Sequence, residues 1–374
     1  MRLRASELDL PATAGARAMA AALLRDAVEE LGRLEAAGDQ EALHDFRVSL
    51  RRLRSVARAL RPQLAGSLRK RHERLLRQVA RATTEARDAE VQIAWLAQER
   101  PVASPREQPG IEWLSSRLEG RLREAQAGDL RATAARFRRL AGKMAKALAA
   151  PATPLPGQPS LGSLLADLLR SHAAGLNSAL DAVGGPMEVE PAHAARIAGK
   201  RLRYLLEPLR GSRRADSAPA VAILKELQDV LGELHDAHVA ADTVAAAMVE
   251  TASGRARATH AAVLEGDAAA LRGARRDPLL RGLLRLDRRC LERATAAHGR
   301  LVQEWRPARQ GALLEAVAGV AARLTASGTR RPGRRRRTAA SAAHPHRRAQ
   351  PAARRRGPRA AGSRRARGAR VSAR

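Results

Sequence analysis

Apolar residues recur three and four positions apart along most of this chain, while alternating apolar and polar runs are scarce. That spacing predicts amphipathic helices and an all-α fold. In the first 150 residues it predicts helices from Pro11 to Leu34, Glu41 to Leu60 and Leu68 to Leu96. A longer helical stretch follows from Ile111 to Leu148, with an interruption at Gly128-Asp129. Gly38-Asp39, Arg61-Pro62 and the segment from Pro101 to Pro109 supply the breaks. Pro151, Pro154, Pro156 and Pro159 fall within nine residues, so 151–160 is read as a linker. The pattern then resumes from Ser160 to Val183, Pro191 to Leu209, Ala218 to Val249 and onward to about Trp305. Residues 307–326 hold one further predicted helix, from Leu313 to Leu324. From 327 to 374 apolar periodicity ends and Arg, Pro, Ala, Gly and Ser prevail, a composition that predicts a disordered tail.

One polar pattern on these helices occurs twice. His44-Asp45-Phe46-Arg47-Val48-Ser49-Leu50-Arg51-Arg52-Leu53-Arg54 returns 149 residues later as His193-Ala194-Ala195-Arg196-Ile197-Ala198-Gly199-Lys200-Arg201-Leu202-Arg203. On a helix, His44, Arg47, Arg51 and Arg54 share an arc of about 80°. His193, Arg196, Lys200 and Arg203 do the same. Such a face repels itself unless an anion lies against it. A second landmark, Glu85-Ala86-Arg87-Asp88-Ala89-Glu90-Val91, matches Glu233-Leu234-His235-Asp236-Ala237-His238-Val239 in the same order. The expected architecture is two four-helix bundles, 1–150 and 161–306, related by internal duplication.

Charge narrows the partner. The net charge is +31, of which 17 arginines beyond Thr329 account for more than half and leave +14 on the rest. A balance this basic points to polyanions: nucleic acid, polyphosphate or an anionic surface. Aromatic residues make up only 2% of the chain, which disfavours a partner recognised by base stacking. The single cysteine, Cys290, excludes an internal disulfide and reads as a buried structural thiol. No apolar run is long enough to span a membrane, and Arg17, Arg25 and Asp26 interrupt any signal-peptide core. The expected location is the cytoplasm.

The two histidine-arginine runs, with Lys200-Arg201-Leu202-Arg203-Tyr204 and the stretch Leu227-Gln228-Asp229-Val230-Leu231-Gly232-Glu233-Leu234-His235-Asp236-Ala237, resemble the CHAD family (conserved histidine α-helical domain). The resemblance covers about residues 12–306 and excludes the tail. It implies two similar bundles about a pseudo-two-fold axis, with basic faces lining a central pore or groove. It further implies a non-catalytic module that binds inorganic polyphosphate, found at polyphosphate granules. The upstream E-x-E-x-K pattern of many relatives is missing, so a stand-alone member is expected.

The residues themselves support that chemistry. Arginine forks take phosphate oxygens in bidentate fashion and stay charged at any relevant pH. The candidate polyphosphate contacts are His44, Arg47, Arg51, Arg52, Arg54, His193, Arg196, Lys200, Arg201 and Arg203, with the two runs meeting in one shared track. Arg136, Arg139 and Lys143, followed by Lys146, repeat the spacing on a third face, and Arg281, Arg285 and Arg288 form a partial equivalent. Arg17, Arg25, Arg74 and Arg77 read equally well as ordinary surface positions. Asp88 and Asp236 are expected to hold arginines in place. No cofactor or metal is expected. Two other readings stay open. The basic chain, above all its tail, would bind nucleic acid non-specifically. His44-Asp45 and His235-Asp236 suggest a metal-dependent phosphohydrolase, although no histidine precedes His44 and Ala194 replaces Asp45 in the second copy.

Overall fold

A computed structural model describes residues 1–37, 40–82, 85–127, 130–150, 157–274 and 276–326. The predicted breaks at Gly38-Asp39 and Gly128-Asp129, linker residues 151–156, the tail from 327 and the side chain of Asp88 lie outside the described residues. All regular structure among the described residues is helical. In chain order the helices are α1 (Ala5–Leu8), α2 (Ala12–Ala37), α3 (Gln40–Ala59), α4 (Arg61–Leu64), α5 (Lys70–Ala82), α6 (Glu85–Glu99) and α7 (Gln108–Ala127). They continue as α8 (Leu130–Ala149), α9 (Leu161–Asp181), α10 (Val189–Leu206), α11 (Ala218–Leu264), α12 (Ala268–Ala274), α13 (Leu280–Gly299) and α14 (Gly311–Thr325). A π-helical run, Arg300–Gln310, joins the last two.

Four helices of the first half close into a ring: α2 on α3, α3 on α5, α5 on α8, and α8 back on α2. A second ring comprises α9, α10, the first part of α11, and α14. The rings touch through α2 on α9 and α3 on α10, and a single apolar core runs through both. Each helix enters that core by the face its sequence makes apolar. On α3, Phe46, Leu50 and Leu53 are buried while His44, Arg47, Arg51 and Arg54 lie on the other side. Phe46 meets Phe137 of α8 edge-on, with ring centroids 5.2 Å apart. Each such buried side chain is worth about 1.5–3 kcal/mol.

A second, smaller core draws on both halves: Trp95 and Leu96 of α6, Ile111 and Leu114 of α7, Val244 of α11, and Leu283 and Leu286 of α13. The α6–α7 hairpin thus leaves the first ring and packs with the far part of α11 and with α13. Helix α11 is a single 47-residue rod, about 70 Å long, that serves both cores. At the α7–α13 crossing, a methyl group on Gly110 would strike the carbonyl oxygen of Leu279, and one on Gly282 that of Glu107, so only glycines allow this approach.

These elements differ from the expected plan in two ways. The stretch from Leu68 to Leu96 contains two helices, α5 and α6, that belong to different cores. The helix expected beyond residue 306 is α14, and its Leu313, Val317, Val320 and Leu324 are buried in the main core. It completes the second ring instead of trailing from it.

The halves are joined by a short reciprocal pairing. Ala12 N–H donates to Pro159 O (2.9 Å) and Leu161 N–H to Leu10 O (2.8 Å), an antiparallel bridge between Pro11 and Ser160. Those two residues are 149 apart, the same offset that separates His44 from His193. Nearby, buried Arg17 donates to Leu148 O (3.1 and 2.8 Å) and Ala147 O (3.2 Å). It caps the last carbonyls of α8 and is thereby a structural residue.

Candidate anion-binding site

The packing of α3 on α10 sets their two basic runs together. Burial along the runs matches position by position. His44 and His193 are exposed; Arg47 and Arg196, Arg51 and Lys200, and Arg54 and Arg203 are half-buried. Two equivalent positions of the runs interact across the helices. Arg51 of α3 lies near enough to Lys200 of α10 to disfavour its charge. The Lys200 ammonium is pushed down to about 7, first by burial, then by Arg196, Arg51 and Arg203, with Asp236 of α11 working against them. The Nε of Arg51 is buried without a hydrogen-bond partner. Among the described residues, Arg51 and Arg54 have no ion-pair partner.

Helix α11 closes one side of this cluster. The His235 ring lies 5.6 Å from that of His193, tilted by 38°. Burial, then Arg196, His193, Lys200 and His238, hold His235 down at about 4, so it is neutral at pH 7. Burial, then Arg196 and Lys200, lower His193 from its ordinary value. On the other side, Arg54 is lowered by burial and then by Arg77, Arg58 and Arg81, so α5 contributes cations to the same field. Arg201 is lowered by burial and by Arg58, and His172 of α9 by burial and by Arg201. Cations of α3, α5 and α10 thus disfavour one another's charge, with His235 of α11 and His172 of α9 at the edges of the same field.

A family model for the CHAD domain matches residues 18–245. The chain belongs to the CHAD family. Among solved structures, the CHAD domain from the plant Ricinus communis is similar over 85% of this chain and 96% of its own, with 21% identity and a TM-score of 0.51. A structure described as PptA from Streptomyces chartreusis is similar over 79% of this chain and 100% of its own, with 18% identity and a TM-score of 0.53. These likenesses establish the all-helical fold. No curated protein matches. The family match ends inside α11, whereas the main core of this CHAD domain also needs α14.

The other basic positions separate into distinct groups. Arg52, one of the candidate contacts, turns to Glu207, its Nε 2.8 Å from Oε2, and Arg203 reaches the other oxygen of the same carboxylate at 3.3 Å. Glu207 therefore braces α3 against the end of α10. Arg136, Arg139 and Lys143 are exposed on α8, which packs chiefly on α2 and α5 and meets α3 through the buried Phe46–Phe137 pair. Lys143 lies near buried His72 of α5, which is lowered by burial, then by Arg71, Arg69 and Lys143. Arg285 belongs to the second core, 3.6 Å from Glu99 and 3.9 Å from Glu107. Cys290 is buried there too, its thiol pushed up to about 12 by burial.

In the sequence His235 stands out only within the second landmark and a candidate metal pair, and Arg58 and Arg81 fall outside both repeated motifs. The signal was present in Arg81, which shares a helical face with Arg74 and Arg77. Among the described residues no group of three or more His, Cys, Asp or Glu is placed to hold a metal ion. None of the described helices is long and apolar enough to cross a membrane.

Proposed function

We propose that this CHAD domain binds inorganic polyphosphate, without catalysing its hydrolysis, along the joined basic faces of α3 and α10. The observation that carries the reading is the meeting of Arg51 and Lys200. Two cations are held together, half-buried, in a field that pushes lysine down to about 7. Such an arrangement costs free energy unless an anion occupies it. A linear polyphosphate suits it because charge repeats along the chain and non-bridging oxygens face every side. Arg47, Arg51, Arg54, Arg196, Lys200 and Arg203 would take those oxygens, and His44 and His193 would stand at the exposed ends of the two runs. Neither needs bases to stack, in keeping with the 2% aromatic content.

The test is competition on the full-length protein between long-chain polyphosphate and duplex DNA of equal charge, with wild type set beside an Arg51→Ala, Lys200→Met variant. Polyphosphate should compete far better, and the double substitution should weaken it about tenfold or more, from roughly 1.5–3 kcal/mol per charge-assisted contact. Equal competition by DNA, with the variant indistinguishable from wild type, would hand the binding to non-specific nucleic-acid contacts of the arginine tail.

A further inference from the structure

The cationic field is lopsided about α3. On its α10 side stands α11, where Glu226 pairs with Arg309 at 3.0 Å and Glu233 with Arg300, Asp236 lies beside Lys200, and Asp229 is an exposed acid. The nearby His235 is neutral at pH 7. On the opposite side, α5 packs on α3 and carries Lys70, Arg74, Arg77 and Arg81, all exposed. At 100° per residue these four share an arc of about 60°. Leu76, Val79 and His72 bury the helix's other side. The one acid on α5, Glu73, is turned to Arg61 at 3.5 Å. Arg77 and Arg81 adjoin Arg54, the last cation of the α3 run.

We infer that α5 is a second, one-sided binding surface, and that a linear polyanion bound at Arg51 and Lys200 leaves the site over Arg54, Arg77 and Arg81, not over α11. The inference rests on the polyphosphate reading above and specifies the substrate as long chains. From α10 across α3 to α5 is two helix-to-helix steps, about 16–20 Å. A triphosphate covers one step; a chain of many units covers both. Long chains therefore gain contacts on α5 that short ones never reach.

The experiment measures binding of long-chain polyphosphate and of tripolyphosphate to the full-length protein by titration calorimetry. Three proteins are compared: wild type, Arg77→Ala with Arg81→Ala, and Arg281→Ala with Arg288→Ala. The last pair removes two exposed α13 charges as a control for net charge. All four positions are exposed, and circular dichroism checks that each variant stays folded. The α5 variant should lose about tenfold or more for the long chain and be unchanged for tripolyphosphate, while the α13 control changes neither. An α5 variant that loses no more than the control, or that weakens both ligands equally, overturns the one-sided path and leaves the shared α3–α10 site standing. Wild type that fails to bind long-chain polyphosphate overturns the site as well.

Discussion

Helices α3 and α13 carry similar arginine-rich faces but have different neighbours. On α13, Arg289 lies 3.1 Å from Glu99 and 2.5 Å from Glu292, Arg285 reaches Glu99 and Glu107, and Arg293 stacks over Trp95 at 5.4 Å. On α3, Arg51 and Arg54 meet other cations, from α10 and from α5. The first set is paired within the protein, and the second is the one proposed above to take an external anion. What separates them is the charge that other helices bring, which no single helix reveals.

The largest effect expected from breaking this contrast is at Glu99, whose side chain is only 5% exposed and serves two arginines. Glu99→Gln removes the charge and leaves both guanidiniums facing a neutral amide. Because the arginines keep partial access to water, the loss should be about 2–3 kcal/mol, at or below the low end for a broken buried pair. A urea titration would read it as a lower midpoint with unchanged slope. Polyphosphate affinity should not move. A variant of undiminished stability would show that α13's pairs are ornamental.

The site should respond in the opposite sense. Arg51→Ala with Lys200→Met should abolish most of the binding attributed above to the joined faces, yet leave the free protein at least as stable near pH 7. Removing a cation that its surroundings disfavour relieves repulsion, and Met fills a lysine's apolar stem. A fall of stability comparable to that of Glu99→Gln would make the pair structural, and α3 and α13 would then be alike.

How much of this was legible in sequence follows from the same contrast. Helical periodicity revealed the all-α class and most helix positions, because each helix buries one continuous face. The repeated spacing located the two basic runs, since periodicity on one helix is local information. Pair partners were not legible. Arg17 looked like a surface cation, but it caps α8 from 131 residues away. Arg52 looked identical to Arg51, but a 100° turn of the helix hands it to Glu207. The departure of the α6–α7 hairpin to a core shared with α13 depends on glycines 172 residues apart, Gly110 and Gly282, whose need appears only once the two backbones touch. The Pro11–Ser160 bridge repeats the 149-residue offset of the two motifs.

The smallest and most diagnostic effect is the pH dependence of binding. Its leading group is expected to be Lys200. Around its ammonium stand His193, Arg196 and Arg203 of α10, Arg51 of α3, and Asp236 and His235 of α11, with His238 beyond His235. Free Lys200 titrates at about 7, whereas a phosphate against it restores the charged form toward the ordinary 10.5. Between those values the complex holds a proton that the free site lacks, so affinity falls as pH rises from about 7, by at most about tenfold per unit. His193, also lowered, adds proton uptake below its ordinary value of 6.5, while arginines contribute no slope. Stability of the free protein runs the other way. From about 7 upward the unfolded lysine is protonated and the folded one is not, so stability rises with pH through the same window. Binding isotherms and urea midpoints at pH 7, 8 and 9 should therefore slope in opposite directions for wild type, and both slopes should flatten in Lys200→Met. Parallel slopes, or a binding slope that survives that substitution, would remove Lys200 from the site while leaving the arginines of α3 in it.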